Sequence, residues 1–162
     1  IEILVADALF AAGKGLLSGA SVLLVGFMVG GVQMPAIVML AMVLPALFVI
    51  FIGCFCFACI ALFLMSFAKT NEFFSYFFTF WVTPSFLFSG VFFEVSRFPD
   101  WVGTLAWALP MTYFIQILRP LMIPDMPLTL LAAAGHLGYI IGVGGLCLFF
   151  AHHRLQKRLL DK

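Results

Sequence analysis

The chain has 162 residues, 65% of them hydrophobic and only 9% charged, with a mean hydropathy of +1.22 and a net charge of +1. A soluble domain of this size carries roughly a quarter charged residues, so eight basic and seven acidic side chains cannot coat its surface, and the chain reads as a membrane protein. A net charge near zero also excludes nucleic-acid binding as its main activity, because that requires a basic field.

A helical span needs about 20 predominantly apolar residues, and charges and turn residues divide the sequence into four such runs. The expected fold is all-α, a polytopic membrane helix bundle of four transmembrane helices plus a re-entrant helical hairpin. Ile1 follows no initiator Met, basic n-region or cleavage site, so the sequence is expected to be a piece of a longer protein. Residues 1–15 read as an entry segment and 16–32 as the first span, leaving through the turn-like Gly30-Gly31-Val32-Gln33-Met34-Pro35. The run from Ala36 to Ala68 exceeds one crossing, and Pro45 suggests an interfacial lead-in before a span at 42–67. Lys69-Thr70-Asn71-Glu72 closes it, and a third span at 73–93 follows with Pro84 as its expected kink. The last span is 128–151, and 152–162 is a basic amphipathic tail beginning His152-His153-Arg154. No internal repeat or linker appears, so the chain is one domain.

Residues 98–122 decide the topology. Pro110 and Pro120 cut this apolar stretch into helices of roughly ten residues, about half the thickness of the hydrocarbon core, so it is expected to dip in and return. With four crossings, Lys14, Lys69, Arg154, Lys157, Arg158 and Lys162 share one side and Arg97 and Arg119 the other. That asymmetry makes the first side, with the C-terminus, cytoplasmic.

Gly15, Gly19, Gly26 and Gly30 fall within about 60° of one another at 100° per residue, and Ala134, Gly138, Gly142 and Gly145 within about 80°. Such stripes let another backbone approach, either at a subunit interface or in static packing within one bundle. Ser75, Thr79 and Thr83 recur every four residues, which makes a polar face. That face, with Ser89 beyond it, reads as the wall of a substrate path or as hydroxyls bonded back to their own helix. Cys54, Cys56 and Cys59 sit inside a span without His or carboxylate and Cys147 stands alone, so they read as small apolar residues and no metal site is expected. His136 is the one ionisable residue inside a span and is expected to be hydrogen-bonded in the bundle, with a place on a substrate path as the alternative. No phosphate-binding loop, nucleophile elbow or HExxH is present, and nothing reads as catalytic.

The run Phe86-Leu87-Phe88-Ser89-Gly90-Val91-Phe92-Phe93, then Arg97-Phe98-Pro99 and Trp101, Leu109-Pro110-Met111-Thr112, and Arg119-Pro120-Leu121 form a combined pattern. It resembles the type-2 ABC exporter permeases, especially the nodulation-factor export (NodJ-like) branch. Ala68-Lys69-Thr70-Asn71-Glu72-Phe73-Phe74-Ser75-Tyr76 and Glu2-Ile3-Leu4 resemble the same branch in order and spacing. Where that branch has Pro after the Phe pair, Glu94 stands here.

The resemblance implies a permease of six spans that works as a pair, here as a homodimer with a second permease copy. Two separate ATPase subunits would drive it by gripping a cytoplasmic coupling helix before the third span. This chain would begin at the end of that helix, with Glu2, Asp7 and Lys14 coupling to the ATPase, and Pro99, Trp101, Pro110, Thr112 and Arg119 would belong to the outer re-entrant hairpin. ATP and Mg would reside on the partner, with no cofactor in this chain. The expected activity is export across the bacterial inner membrane of an amphiphile, either a lipid-linked or lipo-oligosaccharide or a hydrophobic drug. The rival readings are a membrane-embedded enzyme acting on lipid intermediates through His136, Glu94 or Arg119, and a structural scaffold.

Overall fold

The computed structural model describes residues 2–29, 36–68, 72–92, 99–122 and 129–160, and every regular element among them is a helix. Three helices are long and apolar enough to cross a membrane, through Glu2–Gly26, Ala41–Met65 and Leu130–Gln156. They belong to α1 (Glu2–Val29), α2 (Ala36–Met65) and α7 (Leu130–Leu160). In lipid an unsatisfied backbone group costs several kcal/mol, and helices of this length satisfy all but their ends internally. The protein is an all-α integral membrane protein.

Helix α1 runs without interruption through residues 15 and 16, so the expected entry segment and first span share one rod. Helix α2 likewise continues through Pro45, so the lead-in and the span are one rod. Gly30, Lys69, Thr70, Asn71, Glu94, Arg97 and Asp125 lie outside the described residues.

The expected third span is the shortest. Its helical part comprises α3 (Glu72–Phe77), a π-helical segment (Phe78–Val82) and α4 (Thr83–Phe88). These 17 residues make a rod of about 25 Å at 1.5 Å per residue, short of a hydrocarbon core of about 30 Å. The π turn has an identifiable cause in Pro84. A proline offers no N–H to the carbonyl four residues back, here that of Phe80, and its ring presses on that carbonyl, so widening the preceding turn relieves both faults. The helix ends where Ser89 N–H bonds Ser85 O (3.1 Å) and Gly90 takes a φ of 89°, a conformation that favours glycine.

Helices α5 (Asp100–Ala108) and α6 (Pro110–Met122) meet at an angle of 89°. The sequence suggested two helices folded back on each other; the structure turns a right angle instead. Leu109 is the only residue between the two helices, extended at φ −86°, ψ 128° as the position before a proline prefers, and Pro110 opens α6, where its missing N–H costs nothing. Pro120 falls in the last turn of α6 and does not end it.

Small residues set the packing. A Cβ on Gly15 would meet Cys54 and one on Gly19 would lie 3.0 Å from Ile50, so α1 and α2 are antiparallel and close. A Cβ on Gly144 would lie 2.9 Å from the Cys56 Cβ, and Phe63 meets Phe150 at 6.3 Å, so α7 runs parallel to α2. Gly53 accepts the Phe114 ring and so lets α6 against α2. Val49, Cys56, Ile117 and Ile140 are the buried centre where α2, α6 and α7 meet.

Candidate functional site

This topology gathers three chain segments at one end of the bundle. Gly15 lies opposite Cys54, so the start of α1 stands beside the end of α2, and there the Arg154 guanidinium of α7 sits 3.8 Å from the Phe67 ring centroid. A cation over an aromatic face is worth about 0.5–1 kcal/mol when exposed, enough to hold the start of the basic tail against α2. Glu2 and Asp7 are exposed on α1 at this end. Lys14 is different: it precedes Gly15, whose partner Cys54 lies about 16 Å along the rod from Met65. Its ammonium leans back over Phe10 at 4.3 Å, as a snorkelling lysine does on a span.

The right-angled elbow is tied at four points. Thr112, fully buried, donates its hydroxyl to Ala106 O across the bend, and Thr112 N–H bonds Leu109 O at 3.1 Å. Tyr139 of α7 donates its phenol to Ala108 O at 2.9 Å. Arg119 donates from Nη2 to Gly90 O at 2.5 Å, joining α6 to the turn after α4. The acceptor is a carbonyl 29 residues earlier, in the turn where Gly90 takes its left-handed conformation after the end of α4. At the hairpin's start, Pro99 O accepts from Val102 and Gly103 N–H, each at 2.9 Å, and Trp101 is 70% exposed.

Beside the elbow lies an aromatic cluster. Tyr113 stacks on Tyr139 at 4.1 Å and meets His136 edge-on at 5.3 Å, and Trp107 lies 5.6 Å from Tyr113 and 6.4 Å from His136. The His136 Nδ1 is buried and makes no hydrogen bond among the described residues, so rings rather than polar partners hold the imidazole. Sequence reasoning had singled out His136 but missed Trp107, Tyr113 and Tyr139. Their signal was available in amphipathic aromatics set within an apolar stretch, a residue type that seeks a hydrogen-bond partner when buried.

The polar face of the third segment splits. Ser75, Thr79 and Thr83 are exposed, and Thr79 bonds back to Ser75 O at 2.9 Å, one turn earlier on its own helix. Ser89 is fully buried and bonds Phe86 O at 3.0 Å. None of these four lines the cavity of about 290 Å³ between this segment and the bundle. Among the described residues its one hydroxyl is that of Ser85, which the every-fourth-residue pattern passed over; the rest of its wall includes Phe57, Ala61, Trp81 and Met111.

The glycine stripes divide as well. Gly15 and Gly19 are used against α2, whereas a Cβ on Gly26, Gly138, Gly142 or Gly145 would meet nothing within 4 Å. The close glycine of α7 is Gly144, on another face. Cys54 and Cys56 are the small residues facing Gly15 and Gly144, and among the described residues no group of three His, Cys, Asp or Glu could hold a metal ion. Of the residues an enzyme would have used, His136 lies among rings and Arg119 is bonded to Gly90; Glu94 lies outside the described residues.

Comparison with known proteins places this architecture. No solved structure matches the chain. Nodulation protein J of Sinorhizobium fredii (strain NBRC 101917 / NGR234) is 31% identical over 166 residues, covering 99% of this chain. The chain spans 58% of that relative's length. Residues 1–123, from α1 through the elbow, match the ABC-2 type transporter family. The chain therefore belongs to the ABC-2 type transporter family.

Proposed function

We propose that the chain is the membrane-spanning part of a permease subunit in an ATP-driven exporter of the bacterial inner membrane. Its cargo is an amphiphile, either a lipid-linked or lipo-oligosaccharide or a hydrophobic drug. The observation that carries this reading is the family match over α1 to α6, joined to a bundle end that exposes Glu2 and Asp7 beside the start of the basic tail. The positive-inside rule makes that end cytoplasmic. Neither a phosphate-binding loop nor a charged relay stands in the sequence, so the energy enters from a separate ATPase subunit that docks at the start of α1. ATP and Mg belong to that subunit. A second permease copy completes the pathway, and the surfaces open to it include the free glycines of α7.

Charge reversal at Glu2 together with Asp7 tests the docking. Full-length protein carrying Glu2→Lys and Asp7→Lys should insert normally and recover at most about one-tenth of the ATPase in copurification, a loss of about 1.4 kcal/mol. Equal recovery from variant and wild type removes the motor from this end of the bundle. Transport of a fluorescent lipid-linked sugar against a hydrophobic dye, in vesicles of inverted orientation, then separates the two cargo classes.

A further inference from the structure

Helix α7 is longer than a bilayer requires. Its 31 residues make a rod of about 46 Å at 1.5 Å per residue, against a hydrocarbon core of about 30 Å. Residues 130–151 carry no Lys, Arg, Asp or Glu and account for about 33 Å of that length, so the surplus falls at the C-terminal end, where the cations begin. Helix α2 stops at Met65, and Arg154 lies over the Phe67 ring two residues beyond it. From that level α7 runs on for about 9 Å, past the end of its neighbour. His153, Arg154 and Gln156 are exposed there.

The register of this extension gathers its charges. At 100° per residue, positions 154, 157 and 158 fall within about 100° of one another and within about 6 Å along the axis. The headgroup region adds roughly 5–8 Å to each side of the hydrocarbon core, so Arg154, Lys157 and Arg158 stand in one such layer. No carboxylate precedes them on α7, and Asp161 is the single acid set against Arg154, Lys157, Arg158 and Lys162. The Arg154 guanidinium is held by a ring instead of an acid, and among the described residues no hydrogen bond or ion pair uses its N–H donors. A guanidinium so placed keeps its full charge and a planar fork that matches phosphate oxygens.

We propose that the C-terminal extension of α7 is a binding site for the headgroup of an anionic glycerophospholipid, with Arg154, Lys157 and Arg158 supplying the charge that holds it. Each Lys or Arg directly after a span adds an increment of attraction for acidic lipid. A zwitterionic headgroup offers the same phosphate but carries its own cation, which this cluster repels. The site requires no cargo and no motor, so it stands or falls separately from the export reading.

The test uses full-length protein without its ATPase, equilibrated with equal parts of phosphatidylglycerol and phosphatidylcholine, and counts the lipids that stay bound by native mass spectrometry. The wild type should retain phosphatidylglycerol over phosphatidylcholine by at least about tenfold, an effect of about fivefold for each charge. Lys157→Gln with Arg158→Gln, which leaves the Arg154 contact with Phe67 in place, should lower that preference at least about tenfold. Adding Arg154→Gln should remove what remains, whereas Arg154→Lys alone should keep most of it. Equal retention of the two lipids by the wild type overturns the proposal, as does an unchanged preference in the triple variant. A triple variant that loses recovery of the ATPase while retaining phosphatidylglycerol as the wild type does would assign these cations to the motor instead.

Discussion

The α2–α6–α7 core and the α3–π–α4 segment are both largely apolar helix, yet they are held by different physics. In the core, Gly53 and Gly144 remove side chains at the contact, so backbones approach and Phe114 and Cys56 fill the space. In lipid no hydrophobic drive pulls helices together, and such close packing is the principal attraction available. The third segment has no glycine facing α2. Pro84 and the π turn before it disturb its ridge of side chains, and a polar tie, Arg119 on Gly90 O, joins its end to α6. One region is held by shape, the other by a hydrogen bond at its end and a gap along its side.

The sharpest break of that contrast is Gly53→Leu. The Cβ of a leucine there already collides with the Phe114 ring, which meets Phe57 edge-on at 6.2 Å and would have to give up its place against α2. Overpacking costs about 1–3 kcal/mol in a well-packed core, occasionally more, and α6 should leave α2 altogether. Thermal unfolding of full-length protein in mild detergent should show the largest loss of any variant considered, and Gly53→Leu with Phe114→Ala should recover part of it.

Arg119→Ala addresses the other region. A hydrogen bond to a charged group is worth about 1.5–3 kcal/mol, and its loss frees the third segment while leaving the core intact. The melting curve should shift less than for Gly53→Leu, but protease cleavage between Phe88 and Asp100 should speed severalfold, and transport should fall at normal insertion. Cleavage at the wild-type rate would show that the segment is fixed by something other than this bond. Thr112→Val removes the buried hydroxyl that ties the elbow to Ala106 O. It should cost about 1 kcal/mol, read as a small drop in melting temperature with the Arg119 contact unchanged.

How much of this contrast the sequence carried depends on the kind of signal. Composition and run length identified a helical membrane protein, because the bilayer excludes uncompensated charge whatever the packing. Pro110 was legible as the elbow, since a proline is favoured in the first turn of a helix, whereas Pro45 and Pro120, read in the same way, stand inside helices. The angle was not legible, because it depends on Thr112 and Tyr139 reaching the carbonyls of Ala106 and Ala108. The same holds for the glycines. A stripe repeated every fourth residue revealed Gly15 and Gly19, whereas Gly53 and Gly144 stand alone on their faces and announce themselves only by what Phe114 and Cys56 do opposite them. The π turn was half legible. Pro84 marked the place, but a kink and a widened turn are two answers to the same missing hydrogen bond.

The smallest expected effect concerns the glycines that face away. Gly142 meets nothing within 4 Å, while Gly144, two residues on, abuts Cys56. Substituting leucine at the two positions changes the sequence almost identically and the packing not at all alike. Gly144→Leu should push α7 off α2, at the about 1–3 kcal/mol of an overpacked contact. Gly142→Leu should leave the stability of the isolated subunit within about 0.5 kcal/mol, as substitutions away from any contact do. The comparison therefore asks whether the open stripe is used by something outside this chain. If Gly142→Leu leaves the melting curve of the monomer unchanged yet lowers recovery of a differently tagged second copy, the stripe is a subunit interface and the small residues are there to let another backbone close. If recovery of the second copy is also unchanged, the stripe faces lipid, and the pairing of permeases must run through other helices.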